Sequence, residues 1–231
     1  MSHKLRIVVG AAPSGPWSAL ADRLEAAGAE ILRLGPDAQP SDLPAGWFPD
    51  GLVTTPVEHQ RARFDRIDLD RWEADADEEL NARFRLGQLV ARRMLEGNGG
   101  SIVHVVPAQG LPGAPQQGEA AILGYAAAGL SRGIALDLRD KVRANTLALE
   151  PDAGSLEAAA ALILLLCGPK GRGISGQIAA IDAAELHLFA QSRPLRVAHR
   201  DGGWDEPSLA AQVGRWSAYL PGLAAGGEAR Q

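Results

Sequence analysis

Apolar positions along the chain fall into two alternating kinds of run. Short stretches at residues 5–9, 30–34, 51–55, 101–106, 143–149 and 177–181 are compact and apolar, and predict strands. The run at 101–106 is apolar enough for burial on both faces of a sheet. Between these runs the apolar residues take helical spacing. Trp17, Leu20 and Leu24 share one face of a helix predicted over 17–27, with Gly28 as its stop. Further helices are predicted over 68–96, over the alanine-rich 119–138, and over 156–167, ended by Gly168-Pro169. Strands separated by helices of this length predict an α/β fold with a doubly wound parallel sheet. That pattern occupies residues 1–184. Residues 185–231 differ in character: they hold two tryptophans, and 222–231 read as disordered.

At 231 residues the chain can bury a large core without disulfides or metal. Its one cysteine, Cys167, follows an apolar run and reads as an inert core residue, which excludes a disulfide framework or a cysteine-rich zinc site. A formal charge of -5 does not favour nucleic acid or an anionic membrane. The apolar stretch at 158–167 is about half of a membrane span. The residues before the first strand are too few and too polar for a signal-peptide core, so the expected location is cytoplasmic.

From residue 99 onward the order of residues becomes specific. "GGSIVHVVPAQGLPG", then "GLSRGIALDLRDKVRANTLAL", then "GISGQIAAID" resemble the central and last strands of a short-chain dehydrogenase/reductase (SDR). "LRIVVGAAPSG" resembles that family's first strand and glycine turn, and "LDRWEADADEELNARFRLGQLVARRM" its long fourth helix. The resemblance spans residues 4–184 and implies a Rossmann-like sheet. It also implies hydride transfer with a nicotinamide: a tyrosine acid/base, a lysine four residues later, a serine and a supporting asparagine.

The family's positions are occupied by other residues here. No tyrosine has a lysine four residues on, because Gly129 follows Tyr125 and Leu223 follows Tyr219 at that spacing. Aligned on "GLSRGIALDL", the tyrosine position falls on Ala120 and the lysine position on Gly124. The serine position falls on Pro107 and the asparagine position on Glu79, with Asn81 close by. The glycine turn keeps Gly10 and Gly15 at altered spacing, and Pro16-Trp17 bring bulk toward the phosphate position. Gly35 stands at the ribose-binding acid position, with Asp37 two residues late. Residues 35–51 are too few for the usual helix, third strand and further helix, so that edge is expected to be truncated to a proline-rich loop. Leu149-Glu150 replaces the family's Pro-Gly, and the substrate lid is missing. No catalytic residue, bound cofactor or metal is therefore expected on this chain.

The remaining polar and aromatic residues have plain readings beside functional ones. Tyr125 reads as an aromatic filler between helices rather than a shifted catalytic tyrosine. His104 reads as a satisfied core histidine. Glu79 reads as the partner of Arg83, four residues on. Trp204 and Trp216 fit a tail folded on its own domain or a binding surface. Ala120, Ala121, Gly124, Ala127 and Ala128 give the alanine-rich helix a flat small-residue face, suited to close helix contact between subunits. In the resembled family that helix, its predecessor and the last strand make the oligomer contacts. The expected function is a catalytically inactive subunit that forms homo- or hetero-oligomers with an active SDR homologue, which would carry the NAD(P). A divergent lyase or isomerase using Glu79, His104 or Tyr125 is the alternative, and a ligand-sensing regulatory module is another.

Overall fold

Strand β1 (Arg6–Gly10) is buried over its last four residues, and three further strands are nearly as fully buried: β3 (Gly51–Thr54), β4 (Gly100–Pro107) and β5 (Val142–Leu149). With β2 (Glu30–Leu34), β6 (Ile178–Ile181) and β7 (Leu186–Leu188) they form one sheet in the order β2-β1-β3-β4-β5-β6-β7. All neighbours pair in parallel except β6 with β7. The computed structural model describes residues 4–10, 15–111, 115–139, 141–190, 194, 196–216 and 219. The glycine turn at 11–14 and the expected disorder at 222–231 lie outside the described residues.

Helices cover both faces, as a parallel sheet requires. On one face Val9, Val53, Val103, Val105 and Leu147 pack against α1 (Ser18–Ala26) and α5 (Ala153–Cys167). On the other, Val8, Leu52, Ile102 and Ala144 meet residues of α3 (Ala82–Glu96) and α4 (Gly118–Asp137). Helix α1 ends at Gly28, whose φ of +100° suits a residue without a Cβ. Asp152 caps α5 by accepting from the Gly154 and Ser155 N–H groups.

The stretch expected as one helix over 68–96 is built in three parts. Helix α2 (Leu69–Ala76) buries none of its residues. A π-helical turn, Asp77–Asn81, follows and leads into α3. The wider turn shifts the phase, so that Glu79, Ala82, Arg83, Leu86, Val90 and Met94 all face inward.

The edges of the sheet differ from each other. Beyond β2 the chain runs as a loop over residues 35–50 with a single 3-10 turn, Pro40–Asp42. The loop still contributes to the core by burying Leu43 and Trp47, and the Trp47 Nε1–H donates to Glu30 Oε1 at 2.7 Å. Only three residues separate β5 from α5, so no lid fits there. At the other edge the last parallel strand, β6, is not the last strand. Strand β7 lies in the segment set apart as a tail, and it pairs antiparallel with β6 because Asp182, Ala184 and Glu185 form a tight turn.

Glycines in α4 give opposite expectations. A Cβ on Gly124 would lie 2.5 Å from the Gly110 carbonyl oxygen, a backbone atom that cannot swing away, whereas one on Gly129 would meet nothing within 4 Å. Gly124→Ala is expected to destabilise by about 1–3 kcal/mol despite its gain in helix propensity. Gly129→Ala is expected to stabilise by up to about 1 kcal/mol. Urea denaturation of the two variants checks the contrast.

Candidate functional site

Open α/β sheets take ligands at the carboxyl ends of their strands, where the strand order reverses. Here that point lies between β1 and β3, at Gly10 and Thr54. The loop leaving β3 crosses this end and is fastened by two buried carboxylates. Glu79 Oε2 accepts from the Val57 N–H at 3.0 Å and from His59 Nε2 at 2.8 Å. Glu119 accepts the Gln60 N–H at 2.6 Å. The other Glu79 oxygen takes the Arg83 Nη2–H at 2.9 Å.

Arg83 is only 2% exposed and joins this clamp to the sheet. Its Nη2 also donates to the Val105 carbonyl at 2.8 Å, and its Nη1 donates to Thr54 Oγ1 at 2.7 Å. Thr54 Oγ1 then meets His104 Nδ1 at 2.8 Å. Arg83 can only donate, so the Thr54 hydroxyl hydrogen is best used on Nδ1. That leaves the imidazole proton on Nε2. His104 Nε2 has no partner, so this histidine is half-satisfied rather than fully satisfied. Burial, with Arg83 adding, pushes its pKa down to about 3. The Glu79 carboxyl is raised by burial, but the Arg83 charge, His59 and the Val57 N–H outweigh this and hold it below its ordinary value.

Little space remains. The cavity bordered by Gly10, Thr54, Thr55, Glu79, Arg83 and Leu86 is about 30 Å³, room for a water or two. Leu86 lies over Gly10, with Cδ1 2.5 Å from where a Cβ would stand, and so covers one glycine of the expected phosphate turn. Trp17 does not stand in this cleft. Its side chain belongs to the core cluster that holds Ile7 and Leu20, while the turn it was expected to crowd lies outside the described residues. Gly15 and Gly35 have nothing within 4 Å of a would-be Cβ.

Backbone packs closely around the positions that the resemblance aligns with the family's tyrosine and lysine. After Pro107 the chain makes a 3-10 turn, Ala108–Gly110. The Gly110 carbonyl lies against Gly124, and the Ala120 carbonyl oxygen lies 2.8 Å from where a Gly110 Cβ would be. A side chain at 124 would need the volume this turn fills.

Several expected groupings do not form. Glu79 borders the small cavity and His104 sits behind Thr54, but Tyr125 is 61% exposed on α4, so it neither fills a helix contact nor approaches the cleft. Ala120, Gly124, Ala127 and Ala128 were expected at a subunit contact. They are buried in this chain's own core, because small residues are what let α4 sit close on the sheet and the Gly110 turn. Ala121 is partly buried. Trp204 is 41% exposed and no residue of α6 (Glu206–Trp216) is buried, so the tail tryptophans do not fold into the core. The inert reading of Cys167 agrees with its burial, which pushes the thiol up to about 12. No group of three or more potential metal ligands exists among the described residues. Sequence reasoning missed His59 and Glu119. The available signal was a lone carboxylate, Glu119, opening an otherwise small and apolar helix.

Comparison with solved structures decides the fold. A short-chain dehydrogenase from Mycobacterium avium superimposes with a TM-score of 0.75 at 17% identity, over 91% of this chain and 93% of that one. The chain has the fold of the short-chain dehydrogenases/reductases. Acetoin dehydrogenase from Enterobacter cloacae matches at TM-score 0.65 and 20% identity, over 79% of this chain and 96% of that one. A short-chain dehydrogenase/reductase from Serratia marcescens matches at TM-score 0.65 and 20% identity, over 78% and 96%. No family model and no curated relative matches the sequence.

The clamp carries two expectations. Removing the cation leaves Glu79 buried and unpaired, so Arg83→Met is expected to cost about 3–5 kcal/mol, with Glu79→Leu/Arg83→Met together costing less than Arg83→Met alone. Urea denaturation of both variants checks this. For pH, both groups have folded pKa values below their unfolded ones, about 6.5 for His104 and 4.3 for Glu79. Such groups contribute stability above the unfolded value that is lost as pH falls toward and through the folded one. Stability is thus expected to fall below about pH 6.5 and more steeply below about 4.3, with Glu79→Gln lacking part of the lower limb. Denaturation midpoints between pH 7 and 3 read the two limbs.

Proposed function

We propose that this chain is a non-catalytic subunit of SDR fold that assembles with an active NAD(P)-dependent short-chain dehydrogenase and stabilises it or completes its site. The observation that carries the reading is the closed cleft. The loop after β3 is clamped by Glu79 and Glu119, and Ala120 and Gly124 pack on the Gly110 turn. Among the described residues, the cavity beside Gly10 and Thr54 is about 30 Å³, well below the roughly 300 Å³ or more of a small-molecule site. Hydride chemistry also needs an acid/base beside the carbonyl, and Pro107, Ala120 and Gly124 supply none.

An exposed apolar face supports the assembly. Helices α3 and α4 present Phe84, Ile122, Tyr125 and Leu136 to solvent, and a groove of about 490 Å³ runs between them past Gly87, Ala91, Gly129 and Gly133. In the resembled family these two helices meet a neighbouring subunit. The contact is therefore assigned to the outward residues of α4 rather than to its inward small-residue face. No described helix is long and apolar enough to cross a membrane.

Calorimetric titration of the purified chain with NAD(H) and NADP(H) is expected to give no binding. Co-expression with an active short-chain dehydrogenase from the same organism is expected to yield a complex that Phe84→Glu/Tyr125→Glu abolishes. Micromolar nicotinamide binding by the chain alone overturns the non-catalytic half of the reading. Failure to co-purify overturns the assembly half.

A further inference from the structure

The opposite end of the sheet, where the strands begin, is open. A groove of about 660 Å³ lies there, within the size range of small-molecule sites. Arg139, Lys141, Arg143 and Arg172 line it, in a chain whose net charge is -5. Asp50 is the carboxylate among the lining residues, and its Oδ2 accepts the Arg6 N–H at 2.9 Å. The sequence adds Asp140 between two of the cations.

Part of this positive charge serves the fold. In a doubly wound sheet the helices end here, and their last carbonyls carry partial negative charge. Lys141 Nζ donates to the Leu95 carbonyl at the end of α3, at 3.0 Å. Arg143 Nη1 donates to the Leu166 carbonyl at the end of α5 (2.6 Å) and to the Gly171 carbonyl (2.7 Å). These bonds engage one nitrogen of each side chain. The planar fork of Arg143 retains Nη2 and Nε, and exposed Arg172 takes no part in the capping. The two guanidinium groups repel each other. Burial first, and the Arg172 charge as well, hold Arg143 below its ordinary pKa.

We propose that this groove is a binding site for a small multivalent oxyanion, a pyrophosphate-bearing molecule, held by Arg143, Arg172 and Lys141. Guanidinium forks match paired phosphate oxygens, and Lys141 adds a point charge. Such a ligand relieves the repulsion between Arg143 and Arg172, and several cations in one groove favour a multivalent anion over a monovalent one. The site lies away from the strand ends where this fold takes its nucleotide, so it stands or falls independently of the non-catalytic reading.

The test is calorimetric titration of the full chain with inorganic pyrophosphate and, separately, orthophosphate at low salt. Saturable binding is expected, tighter for pyrophosphate. Arg172→Glu is expected to weaken it by about tenfold or more. Arg63→Glu, at the other end of the sheet, is expected to leave it unchanged. Circular dichroism checks that each variant folds, and Arg172→Ala replaces the charge reversal should that variant fold poorly. Absence of binding for both anions overturns the proposal, as does equal weakening by substitution at Arg172 and Arg63.

Discussion

The ion pair between Glu79 and Arg83 is the constraint on which the closed end of the sheet depends. Two opposite charges nearly out of solvent attract strongly, but each has surrendered its hydration. The arrangement holds because both groups have further partners, although the buried Arg83 Nε has none. Glu79 takes the Val57 N–H and His59, while Arg83 gives hydrogens to Val105, Thr54 and Glu79. The pair is therefore less a source of net stability than a device that fixes geometry. It ties the loop after β3, the π turn before α3 and the middle of β4 into one unit, and none of the three can move without stranding a buried charge.

The same exchange recurs across the cleft. At Gly124 the Gly110 turn packs so closely that a Cβ would meet its carbonyl oxygen. A protein interior does not leave space empty, because an unfilled void forfeits contact energy on every wall. The absence of a side chain at 124 and the close seating of this turn are thus one packing arrangement. Glu119 completes it, since a buried carboxylate at the start of α4 needs a donor and the incoming loop supplies the Gln60 N–H.

The sheet was legible in the sequence because its signal is local. The runs around Val8, Leu52, Val103 and Leu147 are apolar on both faces, and that suits only a strand covered by helices on each side. The pairing of Glu79 with Arg83 was also legible, since four residues on a helix bring two side chains together. Side-chain direction was not. Whether Trp17 faces a cleft or a core depends on the helix phase set by the preceding turn. The same holds for α4, whose small residues read equally well as a face for a neighbour or for the chain's own backbone. Only tertiary packing separates those, and it turned Ala120, Gly124, Ala127 and Ala128 inward. The clamp was the least visible part: His59 reaches Glu79, and the Gln60 N–H reaches Glu119, only because the β3 loop passes both carboxylates.

The two edges of the sheet bear on how such a chain can associate. One edge ends at β2 beside the proline-rich loop, and the other ends at the short antiparallel β7. In the resembled family the last parallel strand takes part in a two-fold contact. Here that strand has β7 hydrogen-bonded along its outer side, and β7 is three residues long with every residue exposed. A short edge strand is a poor template for pairing with another chain. Of the two contacts carried by the resemblance, the one on the sheet edge is covered, while the outer face of α3 and α4 keeps large apolar side chains in solvent. Under the proposed assembly, apolar area left exposed at one place and shielded at another places the contact on the helices, at Phe84, Ile122, Tyr125 and Leu136.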